Sequence, residues 1–251
     1  MVGRSPALRT MVQRRRIRRA VAVVGGALLA LFAGAYGLRE LASARSYQLF
    51  GDLVARVETS ERVVALTFDD GPTAGPTEAL LAALARHRVK ATFFLVGQSI
   101  EAHPDQARAI AAAGHQIGNH SYSHRRMVFK SPSFIRSEVE RAEAVIESIG
   151  YRGEPVFRPP FGKKLVYLPH YLGRRGIPTI MWDVEPESDL AASTDDIVRR
   201  TVDEVRPGSI ILLHVMVPAR AHSLRAVEPI VVELARRGYR FVTVSELLAM
   251  R

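Results

Sequence analysis

From residue 61 onward, short apolar runs alternate with amphipathic segments, and this alternation constrains the fold more than any other feature. The runs are 63–68 (VVALTF), 91–97 (ATFFLVG), 115–120 (HQIGNH), 155–160 (PVFRPP), 179–184 (TIMWDV), 209–214 (SIILLH) and 239–244 (YRFVTV). Runs of this length separated by helical segments predict parallel strands joined by helices. By propensity 115–120 and 155–160 are weak strands, and only their place in the series recommends them. The segments between carry helix signals. Thr77 is a candidate cap with Leu80, Leu81 and Leu84 on one face, and Ser131-Pro132 is a cap-and-first-turn pair ahead of Val139, Ala142, Val145 and Ile146. Thr194 opens a segment with Asp195 and Asp196 in its first turn. Ser223 opens another, which Gly238 closes. About seven such units in about 190 residues predict an α/β domain, a small closed or nearly closed barrel, with an open doubly wound sheet as the alternative. No glycine-rich phosphate loop follows the first run, so nucleotide binding has no support.

The N-terminal 60 residues are of another kind. Residues 20–38 (AVAVVGGALLALFAGAYGL) are 19 consecutive uncharged, mostly apolar positions, preceded by seven arginines and no acid within residues 1–19. A helix of that length just crosses a hydrocarbon core of about 30 Å. By the positive-inside rule the arginines stay in the cytoplasm and the rest lies outside. The expected organisation is a basic cytoplasmic tail at 1–19, a transmembrane signal anchor at 20–38, a tether at 39–60 and a folded domain at 61–251, held by the inner (cytoplasmic) membrane as a single-pass protein. A cleaved signal peptide, with Ala33-Gly34-Ala35 as its small-residue site, and a buried soluble helix are the alternatives. The formal charge of +10 belongs mainly to the tail: residues 20–251 carry 28 basic and 25 acidic residues. With no interleaved aromatic and basic face, nucleic acid is not an expected partner, and no protein partner can be inferred. The absence of cysteine excludes disulfides, thiolate metal ligands and a cysteine nucleophile.

The polar residues within this pattern fall at the ends of the runs. Asp69-Asp70 follow the first, His120 and His124 the third, Arg158 lies in the fourth, Trp182-Asp183 in the fifth, and His214 ends the sixth. In an α/β barrel the C-terminal strand ends converge on one pocket. On a helical turn, His120 and His124 at i and i+4 share a face and can bind one metal, and a carboxylate from another strand end would complete a two-histidine, one-carboxylate set with open positions. Two adjacent carboxylates offer separate roles, one on the metal and one off it as a base. Arg158 can pair with one of them. Taken alone, each motif also reads as a surface histidine pair, a turn, a surface arginine or a structural histidine; their combination sets them apart.

Thr67-Phe68-Asp69-Asp70-Gly71-Pro72, His120-Ser121-Tyr122-Ser123-His124, Arg158-Pro159-Pro160-Phe161-Gly162 and Leu212-Leu213-His214 occur in the order of the motifs of the polysaccharide deacetylase family (the NodB-homology domain), which the chain closely resembles over roughly residues 60–250. The resemblance implies a distorted (β/α) barrel and a divalent metal, most often zinc, held by Asp70, His120 and His124. It implies Asp69 as general base, His214 as general acid, Arg158 as the partner that orients Asp69, and the Phe161 N–H at the oxyanion. Tyr122 and Trp182 are further candidates beside the substrate. The implied activity is removal of N-acetyl groups from an N-acetylated cell-wall or exported polysaccharide. An O-acetyl esterase or non-sugar amidohydrolase, and a non-catalytic membrane-tethered glycan-binding protein, are the alternatives. Two positions depart from the family pattern. Val215 stands where an acid usually follows the histidine. Ser188 falls where an aspartate usually orients it, with Leu190 near the usual tryptophan, so Asp183 or Asp189 is the candidate substitute. Of Tyr122, Phe157, Phe161, Tyr167, Tyr171 and Trp182, at least half are expected in the core rather than along a sugar groove.

Overall fold

The computed structural model describes residues 6–187 and 192–251. The chain divides into two compact units, residues 1–42 and 43–251. The first belongs to helix α1 (Pro6–Ser43), whose stretch Val21–Ser43 is long and apolar enough to cross a membrane. At about 1.5 Å per residue it spans more than a bilayer's hydrocarbon core of about 30 Å. Val21, Leu28, Leu31 and Phe32 are all exposed.

The second unit holds strands β1 (Leu53–Val54), β2 (Val63–Asp69), β3 (Thr92–Leu95), β4 (Gln116–Asn119), β5 (Thr179–Ile180), β6 (Ile210–Leu213) and β7 (Arg240–Val242). Between and after them run α2 (Pro76–Arg86), α3 (Gly97–Ala102), α4 (Pro104–Ala112), α5 (Pro132–Ser148), α6 (Tyr167–Arg174), α7 (Thr194–Glu204), α8 (Ala221–Arg236) and α9 (Val244–Leu248). Every strand pairing is parallel. β2 is central. Thr67 pairs with both Thr92 and Leu212, and Ala65 with both Ile210 and Val242, so β6 lies on one side and β7 then β3 on the other. Beyond β4 the path continues by single bridges, Asn119 to Phe157 and Phe157 to Thr179 of β5, and Val184 bridges Ile211 of β6. The parallel path thus returns toward β2 through isolated bridges rather than ladders. This is the distorted α/β arrangement expected, without a fully hydrogen-bonded closure.

Six of the seven predicted runs form strands. The exception is 155–160, which contributes only the Phe157 bridge. Pro155, Pro159 and Pro160 lack the N–H that a ladder needs. The remaining strand, β1, lies in the segment expected as a tether and pairs with β5, with Val54 and Val57 buried. Ser131 caps α5, its hydroxyl accepting from Phe134 N at 3.2 Å. Thr77 does not cap α2: Gly75 does, and the Thr77 hydroxyl accepts from Thr73 N at 3.1 Å. Ser223 likewise lies inside α8, which begins at Ala221.

All seven residues of β2 are buried, so both its faces are packed. Alternation sends Val64, Leu66 and Phe68 into a cluster with Leu80, Leu84, Val227 and Ile230 of the outer helices. Val63 and Ala65 face inward with Phe94, Ile180 and Leu212, and by the same alternation Thr67 and Asp69 share that inner face. Removing the Leu66 side chain should destabilise the domain by about 2–5 kcal/mol. Chemical denaturation of Leu66→Ala checks this; an unchanged midpoint would contradict the placement.

Candidate active site

Asp69 and Asp70, the expected base and the expected carboxylate ligand, come from the end of β2. Asp69 closes the strand and points to its inner face. Asp70 follows with φ 72°, in the left-handed region, which aspartate tolerates better than most residues. The two carboxylates therefore part company. Asp69 Oδ1 lies 2.7 Å from Arg158 Nη1 and its Oδ2 3.6 Å from His120 Nε2, whereas Asp70 Oδ1 lies 3.1 Å from His124 Nε2 and 3.6 Å from His120 Nε2.

The two histidines follow β4, though not on a helical turn as expected. Ser121 and His124 both have positive φ, 66° and 54°. Side chains replace helical hydrogen bonding here. Asn119 Oδ1 accepts from Ser121 N at 2.8 Å, Ser121 Oγ from His124 N at 3.0 Å, and Glu138 from Ser123 N and Oγ at 2.8 and 2.7 Å. His120 Nδ1 sits 2.8 Å from the Arg158 carbonyl, so that nitrogen carries the proton and Nε2 keeps its lone pair. Burial outweighs the attraction of Asp69 and Asp70 and lowers the His120 pKa, favouring the neutral ring that binds metals. Burial opposes ionisation of Asp70, but His124, His120 and His214 hold its carboxyl well below the ordinary range.

Ligand atoms of Asp70, His120 and His124 all lie within 4.8 Å of one another. Asp70 Oδ1 is buried and, among the described residues, has no hydrogen-bond partner, with His124 Nε2 3.1 Å away. A buried carboxylate oxygen without a donor, beside two imidazole nitrogens, is a set that a divalent cation completes.

Arg158 is fully buried. Its Nη1 donates to Asp69 Oδ1 at 2.7 Å and Thr67 Oγ1 at 2.8 Å, its Nε to Ile180 O at 3.3 Å and its Nη2 to Met181 O at 3.2 Å. Phe161 has φ 58° and makes no backbone N–H bond among the described residues. Its ring lies 4.7 Å from that of His124.

His214 follows β6, and its Nδ1 is 2.7 Å from Glu187 Oε1, which also accepts the His214 backbone N–H. Burial lowers its pKa, but this hydrogen bond and the charges of Asp69 and Asp70 prevail and raise it to about 8. Glu187 is the acid that orients His214, and the sequence reading missed it. Parallel pairing of Val184 with Ile211 sets residues 187 and 214 at equivalent positions three residues on; only the register shows this. Asp183, one proposed substitute, instead accepts from Ile210 N and Ser209 Oγ, both at 2.9 Å. Asp189, Ser188 and Leu190 lie outside the described residues. Val215 is buried among apolar side chains.

Asp69, Asp70, His120, His124, Phe161, Trp182 and His214 line one open pocket, together with Glu185 and Arg220. Trp182 donates from Nε1 to Glu185 Oε2 at 2.9 Å. Tyr122 stands apart from it. Its ring lies under Arg141, 3.6 Å from the guanidinium carbon, and its hydroxyl donates to Glu101 at 2.8 Å. Phe157 is core, and Tyr167 and Tyr171 stack on each other 6.3 Å apart.

A sequence profile of the polysaccharide deacetylase family matches residues 56–179. A peptidoglycan-N-acetylglucosamine deacetylase of Bacillus cereus is 33% identical over 185 residues, 73% of this chain and 67% of the relative. The peptidoglycan-N-acetylglucosamine deacetylase PgdA of Listeria monocytogenes is 32% identical over 77% of this chain, which spans only 40% of that relative's length. Among solved structures, the Bc1960 peptidoglycan N-acetylglucosamine deacetylase superposes with a TM-score of 0.73 at 32% identity, covering 77% of this chain and 91% of that one.

The Glu187–His214 pair has a measurable signature. In the folded protein the imidazole should titrate near pH 8, and in Glu187→Gln at lower pH, as followed by NMR. Because the folded pKa is raised, the stabilisation is complete below about 6.5 and is lost as pH rises through about 8. Identical titration in both proteins would contradict the assignment.

Proposed function

The chain belongs to the polysaccharide deacetylase family, and from that premise we propose that it is a metal-dependent hydrolase removing N-acetyl groups from an N-acetylated polysaccharide. The observation that carries this reading is the division of labour between adjacent carboxylates: one oxygen of Asp69 is tied to Arg158 and the other lies near His120 alone, while Asp70 faces both imidazoles. The names of the similar proteins, peptidoglycan N-acetylglucosamine deacetylases, support an N-acetylated glycan as substrate.

Asp70, His120 and His124 would hold the metal, and two nitrogens with one carboxylate suit zinc. A divalent ion there supplies a Lewis acid that activates water and polarises a carbonyl. Asp69, fixed through Oδ1 by Arg158, accepts the proton of the attacking water. The Phe161 N–H, without a backbone acceptor, donates to the oxygen on which negative charge develops. His214, protonated below about pH 8 and steered by Glu187, donates a proton to the departing amine. Acetate and a free amino sugar result. The apolar stretch of α1, with the arginine-rich tail before it, supports a signal anchor in the cytoplasmic membrane and a catalytic domain outside it.

Acetate release by the full-length chain in detergent tests this reading, with N-acetylglucosamine oligomers as substrate and the metal stripped, then restored as Zn²⁺. Release should require the metal, and Asp69→Asn should lower kcat roughly 10²–10⁴-fold. Equal rates in Asp69→Asn, or no release by folded, zinc-loaded wild type on chitin oligomers, peptidoglycan and exopolysaccharide, would overturn it.

A further inference from the structure

We infer that Arg45 is a positioning residue for the reaction: with Ser43 and Ala44 beside it, it braces Trp182 and the Phe161 loop, the wall of the pocket that offers the oxyanion donor. This rests on the deacetylase reading. It adds a residue outside the span that the family profile matches, which begins at residue 56.

Ser43, Ala44 and Arg45 open the second unit, and two lines of contact lead from them to one loop. The first is direct. Lys163 donates from Nζ to Ser43 Oγ, and Lys164 from Nζ to the Ala44 carbonyl. These lysines immediately follow the turn Pro160–Gly162, which holds Phe161 at φ 58°. Lys164 is buried, and among the described residues no carboxylate pairs with it. Burial and the charge of Lys163 push its pKa down to about 8. A buried ammonium needs acceptors, and the carbonyl of residue 44 supplies one.

The second line runs through the indole. Glu185 Oε2 accepts from Trp182 Nε1 at 2.9 Å and pairs with Arg45 Nη2 at 3.0 Å. The Arg45 guanidinium carbon also lies 5.1 Å from the centre of the Trp182 ring, within the range of cation–π attraction. Trp182 in turn sits against Gly162, where a Cβ would stand 2.9 Å from the ring. Ser43 and Ala44 thus hold the Phe161 loop through its lysines, and Arg45 holds it through Glu185 and Trp182. An isolated surface ion pair would leave the loop alone; here three consecutive residues converge on it. The energy of one exposed pair is small, so its effect lies in placement. A donor to developing charge works only if it is already in position, and small displacements cost catalysis steeply.

The test uses the full-length, zinc-loaded protein in detergent with N-acetylglucosamine oligomers. The chain has one tryptophan, so Trp182 alone reports by fluorescence. Arg45→Ala, at an exposed side chain, should keep the wild-type melting temperature, lower kcat roughly three- to tenfold and leave KM within about twofold. It should also make Trp182 more accessible to quenching by acrylamide. Arg45→Lys, which keeps the charge, should recover part of both. In Glu185→Gln, adding Arg45→Ala should have little further effect, because the two residues act through one contact. Arg108→Ala, which breaks an exposed pair on α4, should change neither kcat nor quenching. Wild-type kcat in Arg45→Ala, a defect confined to KM, unchanged quenching, or full additivity with Glu185→Gln overturns the inference. No acetate from the wild type overturns the deacetylase reading itself, and this inference with it.

Discussion

Arg158 is the residue on which the site depends. Removing a guanidinium from water costs several kcal/mol, and this one is fully buried. Asp69, Thr67 and the carbonyls of Ile180 and Met181 offset that cost, with the Phe94 ring 4.1 Å from its centre. The backbone of the same residue is as occupied: its N–H donates to Asn119 O at 3.0 Å, and its carbonyl accepts from His120 Nδ1. One residue thereby positions the proposed base, sets the tautomer of a metal-ligand candidate and joins its segment to β4. Removing either charge would strand the other in the interior at a cost of about 3–5 kcal/mol.

The residues of this site were legible in the sequence because each sits where an apolar run ends. Strand alternation then places Asp69 inward, and parallel strands bring the run ends together. What could not be read was register. Glu187 is the clearest case: residues 183–189 hold four acids, and only the pairing of Val184 with Ile211 sets residue 187 opposite His214. Composition misled at two places. The short, polar-flanked Leu53-Val54 resembles linker until β5 is there to pair with it, and the His120–His124 spacing suits a helix until Asn119, Ser121 and Glu138 claim the turn's hydrogen bonds. Tyr122 belongs to a motif, yet Glu101 and Arg141 hold it elsewhere.

The two departures from the family pattern have different physical consequences. Val215 is core, packed among apolar side chains, an environment that suits a valine better than a charged acid. At His214 the requirement for a carboxylate is met from a neighbouring loop: Glu187, 3% exposed, binds both Nδ1 and the backbone N–H. Its longer side chain reaches from a position that the motif alone does not mark. His214, the proposed acid, is therefore oriented even though Ser188 stands at the position where the family pattern has an aspartate.

In the proposed site Asp70, His120 and His124 take the metal while Arg158 keeps Asp69 off it. Anomalous diffraction from crystals of the zinc-loaded protein tests it most directly. One zinc ion is expected within roughly 2.0–2.2 Å of Asp70, His120 and His124, with Asp69 still bound to Arg158. An ion ligated by Asp69, or bound away from the two histidines, would contradict it.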